Sequence, residues 1–363
     1  MMINVLSRYL AALYGKNILV ILSGLLAIIY IFDTLELLRR AVKQDNVPLT
    51  LVLQMSAYKL PEVGQQLLPF ALLFAAILTL WQLTRRHELV ILRSAGLSAW
   101  RFLMPLFALS FAIGVFYLTV LNPFSAAMIS RYDNMQAIHL GQKNNLVSIS
   151  ANGLWLKEKD SEGEIIFYAR YITPPNWELI DVMALFFDNN GYNYQRLDAH
   201  SARLIDKQWV FKDALINRPE TPAQRPIGYT MSTDMTIEDI RESFADPDTI
   251  SFWALPAFIS TLKNTGLEAT TMELHYQGLL AQPLFFAAMV LIAAAVSLRP
   301  PRSGGSLFLI LGGVAAGFAI FFLSNFLKAL GATHQLPVIL AAWSPSLICI
   351  FIGLGILMRT EDG

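Results

Sequence analysis

Six stretches of the chain are apolar over nearly the whole length that a helix needs to cross a membrane. A transmembrane helix takes about 20 mostly apolar residues. The sequence therefore predicts six spans, three before residue 122 and three after residue 278. They cover Ile18–Leu38, Leu67–Leu83, Phe102–Leu121, Leu279–Leu298, Leu307–Leu327 and Val338–Met358, with approximate ends. The first stretch is too long for a secretory signal and ends in the polar sequence Asp33-Thr34-Leu35-Glu36.

The region between the two groups of spans has the pattern of a β-rich domain. Ile165–Ile172 and Ile180–Phe187 are β-branched and aromatic runs of strand length, with apolar residues on nearly both faces. Turn signals follow at 160–163, 188–191 and 205–208. This predicts an antiparallel sandwich or roll over about 144–230. An amphipathic helix is predicted after it, because Phe252, Leu255, Ile259 and Leu262 recur at helical spacing and Gly266 closes the run.

Composition agrees with a membrane protein and excludes several other classes. Apolar residues make up 55% of the chain and charged residues only 15%. The 27 basic residues equal the 27 acidic ones, so no net charge favours nucleic acid. The single cysteine, Cys349, can form no internal disulfide and no cysteine-based metal site, and is read as a small buried core residue.

The distribution of Lys and Arg predicts the orientation in the membrane. One side's short loops hold Arg8, Lys16, Arg85, Arg86, Arg93, Arg101, Arg299, Arg302 and Arg359. The other side holds Arg39, Arg40, Lys43, Lys59 and Lys328. Because basic residues are enriched in cytoplasmic loops, both termini are expected in the cytoplasm and the middle domain outside.

The sequence carries no recognisable catalytic motif. It has no phosphate-binding G-x-x-x-x-G-K-[ST] loop and no G-x-S-x-G element. His87-Glu88 lacks the second histidine of a zinc helix, and the five histidines are scattered. We therefore expect no enzyme, no bound metal and no cofactor in this chain.

The short loop after the second span is the most informative polar segment. Within Thr84–Ser98, residues Leu89, Leu92 and Arg93 lie near one face of a short helix at the cytoplasmic surface, with Glu88 adjacent to that face. Gly96 is placed to end that helix, and Ser98 to cap the next span. The loop either fixes the topology by its charges or docks a cytosolic partner.

Several segments together resemble the LptF/LptG family of lipopolysaccharide export permeases. Glu88–Ser98 resembles the coupling-helix motif of that family, and Leu6–Leu10 its N-terminal signature. Further similarities lie at Leu60-Pro61, Leu68–Leu73, Asn152–Trp155, Gln208–Phe211 and Gln282–Leu284. Within the family, Pro337, Trp343–Pro345 and Leu357–Arg359 are closer to LptG than to LptF.

The resemblance implies a fold and a division into domains. The fold is six transmembrane helices, three plus three, with an inserted periplasmic antiparallel β-jellyroll. Residues 1–122 would form the N-terminal transmembrane half, with the coupling helix at about 85–96. Residues 123–278 would form the periplasmic domain and 279–363 the C-terminal half.

The resemblance also implies a mechanism and partners. A permease pair, LptF and LptG, sits in the bacterial inner membrane on a dimer of the ATPase LptB, which hydrolyses ATP. The complex extracts lipopolysaccharide from the membrane, and the jellyroll passes it to LptC and LptA towards the outer membrane. Glu88 would contact the ATPase, with Leu89, Leu92 and Arg93 on the same coupling helix.

Two sets of residues are candidates for the lipid path. The first lies at the outer end of the first span, where cations suit the phosphates of lipid A: Tyr30, Asp33, Arg39, Arg40 and Lys43. Tyr30 stands where the family resemblance implies a basic residue, and snorkelling anchors are the alternative role for the cations. The second set could line the roll or form an ordinary sandwich core: Phe167, Tyr171, Phe186 and Trp209.

Two other functional classes fit the sequence less well. A receptor or assembly factor with a periplasmic ligand-binding domain needs only a membrane anchor, and six spans are more than an anchor requires. A sensor would also need a cytoplasmic output module, which the short cytoplasmic segments of this chain cannot form. A lipid-modifying membrane enzyme would need clustered acid, base or metal-binding residues at one membrane face, and the sequence has none.

Overall fold

The computed structural model describes residues 2–42, 47–139, 147–150, 153–160, 163–173, 178–188, 192–205, 207–219, 221–226, 228–233, 246–264, 268–297 and 305–361. It divides into two compact units. The helical unit comprises Met1–Leu140, Ser251–Trp253 and Thr270–Gly363, and the sheet unit comprises Gly141–Ile250 and Ala254–Ala269.

Long helices make up the first unit. In chain order they are α1 (Met2–Ala41), α2 (Leu49–Arg85), α3 (Glu88–Ser94), α4 (Ala99–Phe116) and α5 (Asn122–His139), with the π-helical turn Tyr117–Leu121 joining α4 to α5. After the sheet unit, which contributes α6 (Leu255–Asn264), come α7 (Thr270–Ser297), α8 (Gly305–Ala332) and α9 (Val338–Glu361).

Six helical stretches of the described chain are long and apolar enough to cross a membrane. This confirms the predicted arrangement of three spans before and three after the sheet. The bounds differ most for the second span, where α2 begins at Leu49 rather than at Leu67. The prediction followed hydropathy, whereas the helix continues through the more polar segment around Lys59 and through Pro61 and Pro69. Proline is tolerated in transmembrane helices because neighbouring groups satisfy the freed carbonyls.

The helices differ greatly in how much of their apolar surface the chain itself covers. In the most apolar 18-residue stretch of each helix, the share of buried residues is 67% for α7 and 56% for α2. The same share is only 6% for α1 and 17% for α8. Glycines allow α8 to approach α2 closely, because a Cβ on Gly313 would lie 2.4 Å from Ile77 Cδ1 and one on Gly317 3.3 Å from Leu73 Cδ2. These glycines of α8 therefore pack against α2 of the same chain.

The second unit contains one antiparallel sheet. Its strands are β1 (Val147–Ser150), β2 (Gly153–Asp160), β3 (Gly163–Thr173), β4 (Glu178–Asp188), β5 (Asn193–Ile205), β6 (Gln208–Lys212), β7 (Leu215–Arg218), β8 (Thr221–Gln224) and β9 (Tyr229–Ser232). Each of β1 to β5 pairs with the next strand in the sequence, β9 returns to pair with β6, and the β7–β8 hairpin joins β5 through β7. Strands end at the three predicted turn signals, and Lys207 (φ 60°) turns the chain from β5 to β6.

One face of the sheet is buried and the other is partly exposed. In β3, Ile165, Phe167 and Ala169 are buried, while the residues between them are partly exposed. Their neighbours Ala184 in β4 and Leu156 in β2 are buried as well. This alternation is that of a sheet with a single core face, although apolar residues occur on both faces of β3 and β4.

Candidate coupling and lipid-contacting sites

The short helix α3 is set between two backbone positions in the left-handed region. His87 (φ 60°) directly precedes α3, and Gly96 (φ 77°) follows it. The amide N–H of Leu97 donates to the carbonyl of Leu92 at 3.1 Å, which closes a Schellman turn around Gly96. Gly96 therefore ends the helix as predicted. Ser98 stands at the N-cap position of α4 as predicted, although its side chain makes no capping hydrogen bond.

The two faces of α3 differ in how much of their surface is exposed. Leu89 is buried within the chain, Leu92 is partly buried, and the side chain of Arg93 lies outside the described residues. The apolar side chains exposed on α3 are Val90 (60%) and Ile91 (64%). The sequence reasoning missed these two residues, because helical spacing alone does not say which face of a short helix packs on its own protein.

Glu88 is held by a residue of the first helix. The hydroxyl of Tyr9 lies 3.2 Å from Glu88 Oε1 and 3.1 Å from Oε2, as the donor to the carboxylate. Arg86 Nη1 lies farther away, 3.9 Å from Oε1. Tyr9 belongs to the N-terminal motif noted in the sequence, but no pattern there indicated its contact with Glu88.

A second polar cluster joins α1 to α2 near the other ends of these helices. Lys59 Nζ donates to Asp33 Oδ1 at 2.7 Å, and the same ammonium group lies 5.7 Å from the centre of the Tyr132 ring. Both side chains of the ion pair are partly buried. Among the described residues, the second carboxylate oxygen of Asp33 and the buried hydroxyl of Ser56 have no hydrogen-bond partner. Lys59, which the sequence analysis counted only as a loop cation, is therefore the charged partner of a candidate residue.

The remaining candidates of this region fall into different environments. Arg40 is paired with Glu36 one turn earlier, with both side chains more than half exposed. Arg39 is exposed, and no ion pair to it is found within the described ranges. The hydroxyl of Tyr30 donates to the carbonyl of Leu53 at 3.3 Å. Lys43 lies outside the described residues.

The π-helical turn between α4 and α5 is an anchoring point inside the helical unit. A π turn leaves carbonyls without their usual α-helical partners. Trp253 Nε1 donates to the carbonyl of Thr119 at 3.3 Å, and Gln65 Nε2 to that of Leu121 at 3.1 Å. The side chain of Asn122 accepts the amide N–H of Phe252 at 2.7 Å. The Ser251–Trp253 segment is thus fastened to the third span.

The aromatic candidates of the sheet lie on its buried face. Phe167, Phe186 and Trp209 are all buried, and the Phe167 and Trp209 rings lie 5.4 Å apart between centroids. The indole N–H of Trp209 finds no acceptor among the described residues, so this face presents a donor as well as apolar surface. The side chain of Tyr171 lies outside the described ones.

The outer face of the sheet carries balanced charge. Arg170 pairs with Asp181 at 3.4 Å and Arg196 with Asp198 at 2.7 Å. These arginines are thus neutralised by neighbouring carboxylates. The face is therefore less suited to phosphate groups than an unpaired basic patch would be.

Comparison with known proteins identifies the family. The family model described as lipopolysaccharide export system permease LptF/LptG matches residues 8–359. The chain belongs to the LptF/LptG family. The lipopolysaccharide export system permease protein LptG of Haemophilus influenzae is similar over 99% of this chain and all of its own length, with 24% identity. LptG of Escherichia coli K12 is 26% identical over 98% of both chains.

Family membership fits the geometry described above. As an LptF/LptG permease with six apolar helices, the chain is an inner-membrane protein of the lipopolysaccharide export system. The matched region includes α3, the Asp33–Lys59 cluster and the whole sheet. The sites are thus parts of a transport protein, and their individual roles follow as proposals.

Proposed function

We propose that this LptF/LptG permease acts as the LptG-type subunit of an ATP-driven exporter. It works with a sister permease, LptF, and with a separate cytosolic ATPase dimer, LptB, while the chain itself binds no cofactor. Lipopolysaccharide leaves the inner membrane along the transmembrane helices and passes through the sheet domain to the jellyroll proteins LptC and LptA.

The observation that carries this proposal is the surface of α3. Val90 and Ile91 expose apolar side chains on α3, the short helix between the second and third spans. They lie next to the partly exposed carboxylate of Glu88. Apolar side chains beside a charged group are typical of a docking surface. The excess of basic residues around this end of the bundle supports placing it in the cytoplasm, where an ATPase can reach it.

In this proposed orientation the sheet domain would lie in the periplasm, and Arg39, Arg40 and Lys59 would lie at the periplasmic end of their helices. The phosphates of lipid A would meet these cations in that region. Inside the sheet, the buried aromatic face would accommodate acyl chains.

The first experiment is a detergent pull-down of the tagged chain from its native membrane, with bound proteins identified by mass spectrometry. We expect the wild type to retain a P-loop ATPase and a second permease, and Glu88→Arg to lose the ATPase, because reversing this charge repels a basic partner residue. Glu36→Arg is the matched control, since it makes the same charge change at an exposed position at the far end of α1.

Recovery of the same amount of ATPase with Glu88→Arg as with Glu36→Arg would contradict the role of Glu88. If wild type retains no ATPase, the proposed assembly fails, although family membership stands on the sequence match.

A further inference from the structure

The contact between Tyr9 and Glu88 joins two elements that lie 79 positions apart in the sequence. The Tyr9 hydroxyl is nearly equidistant from the two carboxylate oxygens, at 3.2 and 3.1 Å, so it sits at the fork of the carboxylate. The Tyr9 residue is 40% exposed and the Glu88 side chain 31%. The carboxylate is thus oriented and still accessible to a partner.

The helix that carries Tyr9 is firmly anchored. Leu10, which directly follows Tyr9 in α1, and Tyr14, just over one turn further on, are fully buried. The Tyr14 hydroxyl lies 3.1 Å from the carbonyl of Leu72 and 2.9 Å from Ser110 Oγ. One turn later, Asn17 Nδ2 donates to Thr79 Oγ1 at 2.8 Å. Tyr9 therefore has a fixed position relative to α2 and α4.

The helix that carries Glu88 is supported much less. Helix α3 has seven residues and is joined to α2 by a turn at His87 in the left-handed region. A helix of this length is not stable by itself in water. A fixed hydroxyl on α1 is therefore able to determine where the carboxylate at the start of α3 points.

The chemical nature of the donor matters for this role. A tyrosine hydroxyl is neutral, so it orients Glu88 without cancelling the negative charge. The exposed guanidinium of Arg86 lies 3.9 Å from Oε1, a long ion pair that screens the carboxylate only weakly. The Tyr9 contact thus orients the carboxylate without removing its charge.

We propose that Tyr9 is the positioning residue that presents the charged Glu88 carboxylate to a basic side chain of the cytosolic ATPase. This inference rests on the proposed function, in which Glu88 docks the ATPase. It adds that the docking site is built from two helices. Force applied to Glu88 then has two routes into the membrane helices. One runs through the backbone at the ends of α3, and the other runs through Tyr9 to the first span.

The test is a double-mutant cycle on the full-length chain, purified with its sister permease. The dissociation constant for the ATPase that co-purifies with wild type is measured for Tyr9→Phe, Glu88→Ala and the double variant. Tyr9→Phe removes only the hydroxyl and keeps the ring. Tyr58→Phe is the matched control, because it removes a tyrosine hydroxyl that is hydrogen-bonded to Gln54 on α2 and does not contact Glu88.

We expect Tyr9→Phe to weaken ATPase binding about three- to tenfold, in keeping with a partly exposed hydrogen bond to a charged group. In the Glu88→Ala background the same change should have no effect. The unfolding temperature of Tyr9→Phe should equal that of wild type. Tyr58→Phe should leave the affinity unchanged.

Two results separate the failure of this inference from that of the proposed function. If Glu88→Ala weakens binding but Tyr9→Phe does not, or if the two effects are additive, Tyr9 does not act through Glu88 and the inference is overturned. If Glu88→Ala leaves binding unchanged, the docking role of Glu88 is itself wrong, and the inference falls with it.

Discussion

Gly114 in α4 lies directly against the backbone of Pro283 in α7. A Cβ on Gly114 would be 2.4 Å from the Cα of Pro283. This contact joins the third span to the fourth, and so the first three spans to the last three. Because the obstructing atom is backbone, no side-chain rotation relieves the clash.

We therefore expect Gly114→Ala to destabilise the helical unit by about 1–3 kcal/mol, the usual cost of overpacking. The measurement is the unfolding temperature of the purified protein in detergent. Gly24→Ala is the control, since a Cβ at Gly24 meets nothing within 4 Å. An equal unfolding temperature for both variants would show that α4 and α7 are not packed this closely.

The Asp33–Lys59 pair makes a second prediction. Asp33→Asn leaves the ammonium group of Lys59 partly buried without its carboxylate partner. Because Lys59 keeps some exposure, we expect a loss of about 1–3 kcal/mol, less than the cost of breaking a fully buried pair. The double variant Asp33→Lys with Lys59→Asp should regain part of the lost unfolding temperature.

The exposed Glu36–Arg40 pair on the same helix provides the comparison. Its side chains are 58% and 51% exposed, so Glu36→Gln should change the stability by less than about 1 kcal/mol. A larger loss for Glu36→Gln than for Asp33→Asn would refute the assignment of Asp33–Lys59 as the stabilising pair.

The sequence predicted the six spans because each contains an apolar window that only a membrane helix tolerates. It did not predict their ends, since α2 continues outside its apolar window around Lys59. The strands β3 and β4 were predicted from their β-branched and aromatic residues. The partly exposed face, which includes Ile166 and Leu185, was missed because apolar residues there resemble a second core face.

The candidate sites were predicted only as single residues. Glu88 stood out as the acidic residue within an arginine-rich loop, and Asp33 as an acidic residue at the end of an apolar span. Their partners Tyr9 and Lys59 did not, since each contact joins separate helices and leaves no periodic pattern in the sequence. Tertiary packing of α1 against its neighbours creates both contacts.

The exposed cations at the end of α1 make a prediction about the substrate. If Arg39 and Arg40 contact lipid A phosphates, replacing both with Gln should reduce photocrosslinking of lipopolysaccharide to the first span several-fold. Protein levels in the membrane serve as the control for folding. Unchanged crosslinking would assign the two arginines to interfacial anchoring.

The Glu178–Arg203 pair predicts a pH dependence in the sheet unit. The hydrogen bonds from Arg203 and Ser201 lower the pKa of Glu178 below its ordinary value of 4.5. A lowered pKa means that the pair stabilises the folded state above pH 4.5, and that this contribution is lost as the pH falls through the folded value.

The measurement compares the unfolding temperatures of wild type and Arg203→Met across this pH range. The difference should be constant near neutral pH and shrink under acid conditions. In a Glu178→Gln background the difference should no longer depend on pH. A difference that persists unchanged at the lowest pH would show that Arg203 acts through packing rather than through Glu178.

The last prediction separates a lipid-lining role of the sheet from an ordinary core. Phe167 and Tyr168 are neighbours in β3 whose side chains point to opposite faces. Phe167 lies among the buried aromatics beside Trp209, whereas Tyr168 packs on Trp155 at the outer face, with ring centroids 4.8 Å apart. A photoreactive phenylalanine at 167 should crosslink lipopolysaccharide during ATP-driven transport, and one at 168 should not.

Because both positions share a strand, local distortion affects them similarly, and the unfolding temperature of each variant checks this. Crosslinking from neither position in folded protein would make Phe167, Phe186 and Trp209 a closed core, and the lipid would have to pass the sheet by another surface.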